Sequence, residues 1–184
     1  MSPLNASDAA DFVDELARSH LDAGYNVGRW LLGNDHDAAD AVHDAFVRAA
    51  RAVHTYNGGN ARAWWLAIVR NCCFAKLSLR QRESGHQSFE SATPAVAMLR
   101  AADDVEAAAE AGQRRALLAE QLRALPLEFR EALVLREFED LSYREIADVL
   151  QVPIGTVMSR LSRGRALLQR ALGAASASEA IDGM

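Results

Sequence analysis

Apolar side chains recur along this chain mainly at helical spacing. Phe12, Leu16, Leu21, Tyr25, Trp30 and Leu31 mark a first helix that ends at Gly33-Asn34-Asp35, with Asp35 placed to cap the next one. Over 36–53, Ala38, Ala41, Val42, Ala45, Phe46 and Ala49 form one stripe, and Asp37, Asp40, Asp44, Arg48 and Arg51 fall largely elsewhere, which predicts an amphipathic helix. Thr55-Tyr56-Asn57-Gly58-Gly59-Asn60 reads as a loop, because paired glycines flanked by asparagines favour positive φ. A third helix is expected over 61–80. Residues 83–112 hold Ser, Gly, Thr and Pro94, then an alanine-acid stretch open to helix, and read as a flexible linker. Helices are expected next from Ala116 to Leu125, from Leu127 to Glu137 after Pro126, from Ser142 to Leu150, and over 153–172. The pattern predicts an all-α chain with a helical domain over 1–82, a linker over 83–112, a second domain over 113–173, and a small, polar, frayed tail over 174–184.

Composition changes this picture little. Half of the 184 residues are apolar and about a quarter are charged, as in ordinary globular proteins. Charge changes it more. The net charge is −5, which by itself argues against a polyanionic partner, but its distribution is blocked. Residues 1–47 hold nine acids and two Lys or Arg, while 48–82 hold seven bases and no acid. Residues 127–152 hold seven acids and three bases, and 153–172 hold four arginines and no acid. Such alternation fits a chain that grips nucleic-acid phosphates with its bases and another partner with its acids. The start, Met1 to Glu15, has no basic leader, and nowhere do eighteen apolar residues follow one another, so a cytoplasmic protein is expected.

The sharpest local signal runs from Leu141-Ser142-Tyr143-Arg144-Glu145-Ile146-Ala147-Asp148-Val149-Leu150 through a tight turn to Pro153-Ile154-Gly155-Thr156-Val157-Met158-Ser159-Arg160-Leu161. It reads as a helix-turn-helix. Ser142 and Glu145 form a capping box, and Ile146, Val149, Val157 and Leu161 face inward. Thr156, Ser159, Arg160 and Arg163 are left pointing outward on a helix suited to the DNA major groove. The other basic block, Arg62, Arg70, Lys76, Arg80 and Arg82, is interleaved with Trp64, Trp65 and Phe74 and preceded by Tyr56. Aromatic faces among cations suit unpaired nucleotides. Two adjacent tryptophans cannot both face one side, so one of them belongs to the core. Asp37, Asp40 and Asp44 share one side of their helix and read as an acidic stripe for a basic protein partner, ahead of a merely solvated face. His43 lies beside the aspartates but at a different angle, His20, His36, His54 and His86 are scattered with no ligand spacing, and no nucleophile arrangement or phosphate loop can be assembled; no metal, cofactor or catalytic residue is expected. Cys72 and Cys73 are adjacent and read as small apolar helix residues.

Together the two blocks resemble bacterial sigma factors of the extracytoplasmic-function (ECF) group, over nearly the whole chain. Asp37-Ala38-Ala39-Asp40-Ala41-Val42-His43-Asp44-Ala45-Phe46-Val47-Arg48-Ala49 is similar to the helix by which that family docks on core RNA polymerase. Asn57-Gly58-Gly59-Asn60-Ala61-Arg62-Ala63-Trp64-Trp65-Leu66-Ala67-Ile68-Val69-Arg70-Asn71 resembles its loop and helix for promoter melting, and Leu125-Pro126 through Leu161 its domain for the minus-thirty-five element. The resemblance implies two small helical domains, sigma-2-like and sigma-4-like. It further implies polymerase contacts at Asp37, Asp40, Asp44, Phe46 and Arg48. Minus-ten and melting contacts would fall at Tyr56, Asn57, Asn60, Arg62, Trp64, Trp65, Arg70 and Asn71, and minus-thirty-five contacts at Thr156, Met158, Ser159, Arg160 and Arg163. It implies core RNA polymerase, promoter DNA and an anti-sigma factor as partners. A sigma-like decoy that titrates an anti-sigma factor, and a stand-alone helix-turn-helix repressor, are the rival readings.

Overall fold

The computed structural model describes residues 6–83 and 105–182, all of whose regular structure is helical. Residues 84–104, most of the expected linker, lie outside the described residues.

The first three helices, α1 (Ala6–Leu32), α2 (Asp35–Ala52) and α3 (Ala61–Glu83), pack against one another as a bundle. Helix α1 buries Val13, Leu16, Ala23, Val27, Leu31 and Leu32; Leu21, expected on that stripe, is 48% exposed. The buried face is instead completed by two glycines one turn apart. A Cβ on Gly24 would lie 2.8 Å from the indole nitrogen of Trp65, and one on Gly28 would lie 3.2 Å from the Ala38 Cβ. These glycines let α3 and α2 approach α1 more closely than any side chain would allow. Gly33, at φ 81°, ends α1, and its N–H donates to the Arg29 carbonyl at 2.9 Å. The cap of α2 is Asn34, not Asp35: the extended backbone of Asn34 aims its Oδ1 at the Asp37 N–H, 2.8 Å away. Helix α2 buries Ala38, Ala41, Val42, Ala45 and Ala49, while Phe46 leaves that stripe and is exposed.

Asn60 caps α3, its Oδ1 accepting from the Ala63 N–H at 3.1 Å. This start puts Trp65, Leu66, Val69, Cys72 and Cys73 inside. The Trp65 indole donates to the His20 carbonyl at 3.0 Å, which satisfies its one polar atom.

The second half comprises α4 (Val105–Ala124), α5 (Leu127–Leu133), α6 (Tyr143–Leu150) and α7 (Ile154–Asp182). Helix α4 thus begins inside the segment expected to be linker. Helix α7 continues well past the expected end at 172, since Gly173 alone does not stop an alanine-rich run. A π-helical turn, Val134–Phe138, follows α5, and Asp140 turns the chain at φ 50°. The capping box of α6 is present in full, with Ser142 and Glu145 each accepting from the other's backbone N–H. Gln151 takes the left-handed turn at φ 55°, ψ 46°, a strain of about 1 kcal/mol for a residue with a Cβ.

The two halves are packed together. Helix α1 meets α5 and the π turn, and α3 meets α6. Trp30 and Phe138 touch across this boundary with ring centroids 4.9 Å apart. One continuous apolar core runs through both halves.

Two outcomes follow from this packing. Gly24→Val should destabilise the fold by about 1–3 kcal/mol through overpacking against the rigid Trp65 indole, read as an earlier midpoint in denaturant titration. Burial pushes the Cys72 thiol up and the Cys73 thiol to about 12, so thiolate is scarce at neutral pH. Neither cysteine should react with a chromogenic disulfide reagent in the folded chain, and both should react in denaturant; prompt labelling of the native protein would contradict the burial.

Candidate nucleic-acid and protein interface

The amino-terminal half of α7 carries the expected groove-reading residues. Met158, Ser159 and Arg163 are exposed, and Thr156 is half-buried. Arg160 is not among the outward side chains. It folds back to donate to Glu131 Oε1 at 2.9 Å, because a carboxylate only 3% exposed offers it a charge-assisted bond in apolar surroundings.

The first basic block divides by position along α3. At its start, Arg62 reaches across to the second half, donating to the Glu139 carbonyl at 2.8 Å and to its carboxylate. Arg70 donates to Glu131 Oε2 at 2.8 Å and lies over the Phe74 ring at 4.3 Å. Further along, Lys76 binds Asp40 at 3.1 Å, and Arg80 pairs with Asp37. The Lys76 hydrogen bond holds the Asp40 carboxyl below its usual range. The expected acidic stripe is therefore partly answered by the chain's own bases. Asp44, Phe46 and Arg48 remain exposed beside it, as does His43.

Of the two tryptophans, Trp65 is fully buried and sealed by its bond to His20, which removes it from the expected DNA contacts. Trp64 is half-buried and joins an aromatic group on the surface. Phe12 stacks on Tyr56 with centroids 4.7 Å apart, and Trp64 lies tilted 5.6 Å from Tyr56. The Tyr56 hydroxyl donates to the Gly59 carbonyl, so the loop is closed by its own first aromatic residue. Asn57 and Asn71 are exposed. Asn60, besides capping α3, donates its amide to the Glu145 carboxylate of the helix-turn-helix.

Three acids that sequence reasoning left without a binding role thus face the basic block: Glu131, Glu139 and Glu145. One signal was present. Glu131 falls one turn after Leu127 and one before Leu135, a charge on an apolar register. Burial outweighs Arg62 at Glu139 and raises its carboxyl, whereas the Ser142 bonds depress that of Glu145. Val27, Leu31, Val134 and Leu135 line the space around Arg70 and Glu131. Among the described residues no cluster of ligands suits a metal ion, and no helix is long and apolar enough to cross a membrane.

Two family models match this chain in order. Sigma-70 region 2 matches residues 16–83, and sigma-70 region 4 matches residues 115–168, together about two thirds of the chain. The ECF RNA polymerase sigma factor SigE of Mycolicibacterium smegmatis is 40% identical over 58 residues, which are 32% of this chain and 23% of that relative. The sigma factor RpoE of Bartonella quintana, solved in complex with the anti-sigma factor NepR, superposes with a TM-score of 0.73 at 26% identity, covering 89% of this chain and 97% of that one. CnrH, solved in complex with the cytosolic domain of CnrY, gives 0.65 at 25% identity, covering 92% and 95%. Both regions, in order on an all-α framework that carries a helix-turn-helix, place the chain in the sigma-70 family, in its ECF group.

Proposed function

We propose that this chain binds core RNA polymerase and directs it to specific promoters, with its activity restrained by an anti-sigma factor. Sigma factors are initiation factors without catalysis of their own, and the chemistry of this reaction belongs to the polymerase. The observation that carries the reading is the presence of both sigma regions in one chain, region 2 bearing the basic α3 and region 4 an exposed recognition surface on α7.

In this reading residues 1–82 dock on polymerase and hold the minus-ten element. Asp44, Phe46 and Arg48 on α2, with Asp37 and Asp40 beside them, form the docking surface. Tyr56, Asn57, Trp64 and Asn71, with Asn60, Arg62 and Arg70, form the melting surface. Residues 113–173 read the minus-thirty-five element through Thr156, Met158, Ser159 and Arg163, with Arg160 joining once released from Glu131. Residues 83–112 link the two domains, and 174–184 are a tail. An anti-sigma partner is proposed because RpoE, which shares this fold over nearly its whole length, was solved with one. A chain that works on polymerase and the genome works in the cytoplasm.

Pull-down of core polymerase followed by run-off transcription from a promoter library tests the reading, and initiation from a defined sequence is the expected result. Arg163→Ala should reduce promoter-specific initiation by about five-fold or more, as loss of one groove contact worth about 1–3 kcal/mol predicts, and leave polymerase pull-down intact. Asp44→Ala with Phe46→Ala should weaken the pull-down itself. Equal loss of both activities in both variants would show that the two surfaces are misassigned.

A further inference from the structure

The amino-terminal end of α7 carries an apolar surface on a helix otherwise rich in arginine. From Pro153 to Ser159 no residue is charged, and within that stretch Ile154 is 49% exposed and Met158 54% exposed. They stand four residues apart, so their side chains lie one above the other on a single face. That face is continuous with the recognition surface: Gly155, Ser159 and Ser162 beside it are exposed, and Arg163 is exposed one turn beyond Ser159. The polar groups among these residues are poorly placed to read bases. Ser159 donates its hydroxyl to the Thr156 carbonyl at 2.9 Å, Thr156 is half-buried, and Arg160 turns back to Glu131. What the helix presents at this end is an apolar pair. Single exposed apolar side chains are ordinary, but a contiguous pair on the face of a recognition helix calls for an apolar feature on the partner.

We infer that Ile154 and Met158 are specificity-determining residues that read thymine methyl groups in the minus-thirty-five element. The inference rests on the proposed function and names what this part of its site recognises. A helix-turn-helix sets the amino-terminal residues of its second helix on base edges in the major groove. Adenine, guanine and cytosine present hydrogen-bonding groups there, and thymine alone adds an apolar one, its C5 methyl. An apolar side chain laid on a keto or amino edge would strip that edge of water and give nothing back. Laid on a methyl, it removes apolar surface from water on both sides. Charge agrees with DNA as the occupant, since residues 153–172 hold four arginines and no acid. The two side chains are separated along the helix by about 6 Å, close to two base steps of about 3.4 Å each. The pair therefore favours thymines within about two steps of each other, and it prefers thymine to cytosine, which has no methyl, at those places.

The test uses holoenzyme formed from the full chain and core polymerase, on the promoter selected from the library. Each thymine of the minus-thirty-five element is replaced in turn by deoxyuridine, which deletes the methyl and keeps every hydrogen-bonding group. Competition between the thymine and deoxyuridine promoters reads relative binding. We expect the wild-type chain to lose about four-fold at one or two of these positions, the factor for one methyl-sized group returned to water. Ile154→Ala and Met158→Ala should each bind the thymine promoter as weakly as the wild type binds a deoxyuridine one, and each should ignore deoxyuridine at the position it reads. Met158→Gln, which keeps the length and helix propensity of methionine, should behave as Met158→Ala does and decides the matter should the alanine variant fold poorly. A wild-type chain indifferent to deoxyuridine at every position overturns the inference, as does an element without thymine. Variants that keep the full response to deoxyuridine but lose polymerase pull-down also overturn it, and assign the apolar pair to a protein partner. A chain that selects no promoter sinks the proposed function as well, whereas initiation indifferent to the methyls sinks this inference alone.

Discussion

Two arginines from opposite halves of the chain end on one carboxylate, and the relative placement of four helices hangs on that meeting. Glu131 belongs to α5, Arg70 to α3 and Arg160 to α7, while Val27 and Leu31 of α1 close over the group. A carboxylate this deep cannot stay charged without partners, since desolvation alone costs several kcal/mol. Each arginine in turn would be a half-buried cation without its anion. The three groups therefore specify one another's positions, in the way buried polar groups can fix a single packing where apolar contact alone would tolerate several.

The neighbouring contacts need unusual backbone to reach the same boundary. The π turn at Val134–Phe138 adds a residue to the helical repeat, and Asp140 at φ 50° then reverses the chain. These two features bring Glu139 inward to Arg62 and leave Ser142 free to cap α6. Glu145 completes that capping box and at the same time accepts from Asn60, which is itself the cap of α3. The starts of α3 and of α6, the first helix of the helix-turn-helix, are thus tied through their capping side chains. A π turn beside a functional surface is a common coincidence, because its widened backbone re-aims the side chains that follow.

Much of this was legible along the chain, and the failures are instructive. Helical periodicity located the seven α-helices of the described residues to within a few residues at most ends, and Ser142 with Glu145 marked a real capping box. Leu21 and Phe46 were placed on buried stripes yet are exposed, because α1 buries Gly24 and Gly28 instead and α2 meets its neighbours through alanines. Hydrophobicity along a sequence does not show that a close crossing needs the absence of a side chain. Charge blocks singled out the basic segments but not what they would touch. Arg160 read as outward because a helical wheel knows only its own helix, and Glu131 lies 29 residues away. The link from Asn60 to Glu145 spans 85 residues and was beyond any local reading.

The composition of the boundary bears on how it could open. Buried ion pairs come close to breaking even against their desolvation, so they set register more than they add stability. The attraction between the halves must then come largely from apolar contact, of which Trp30 with Phe138 and the side chains around Glu131 are the visible part. Separating the halves would expose Val27, Leu31, Val134 and Leu135 to water at roughly 25 cal/mol per Å². The apolar contact therefore holds the halves together, and the shared carboxylate decides which faces meet.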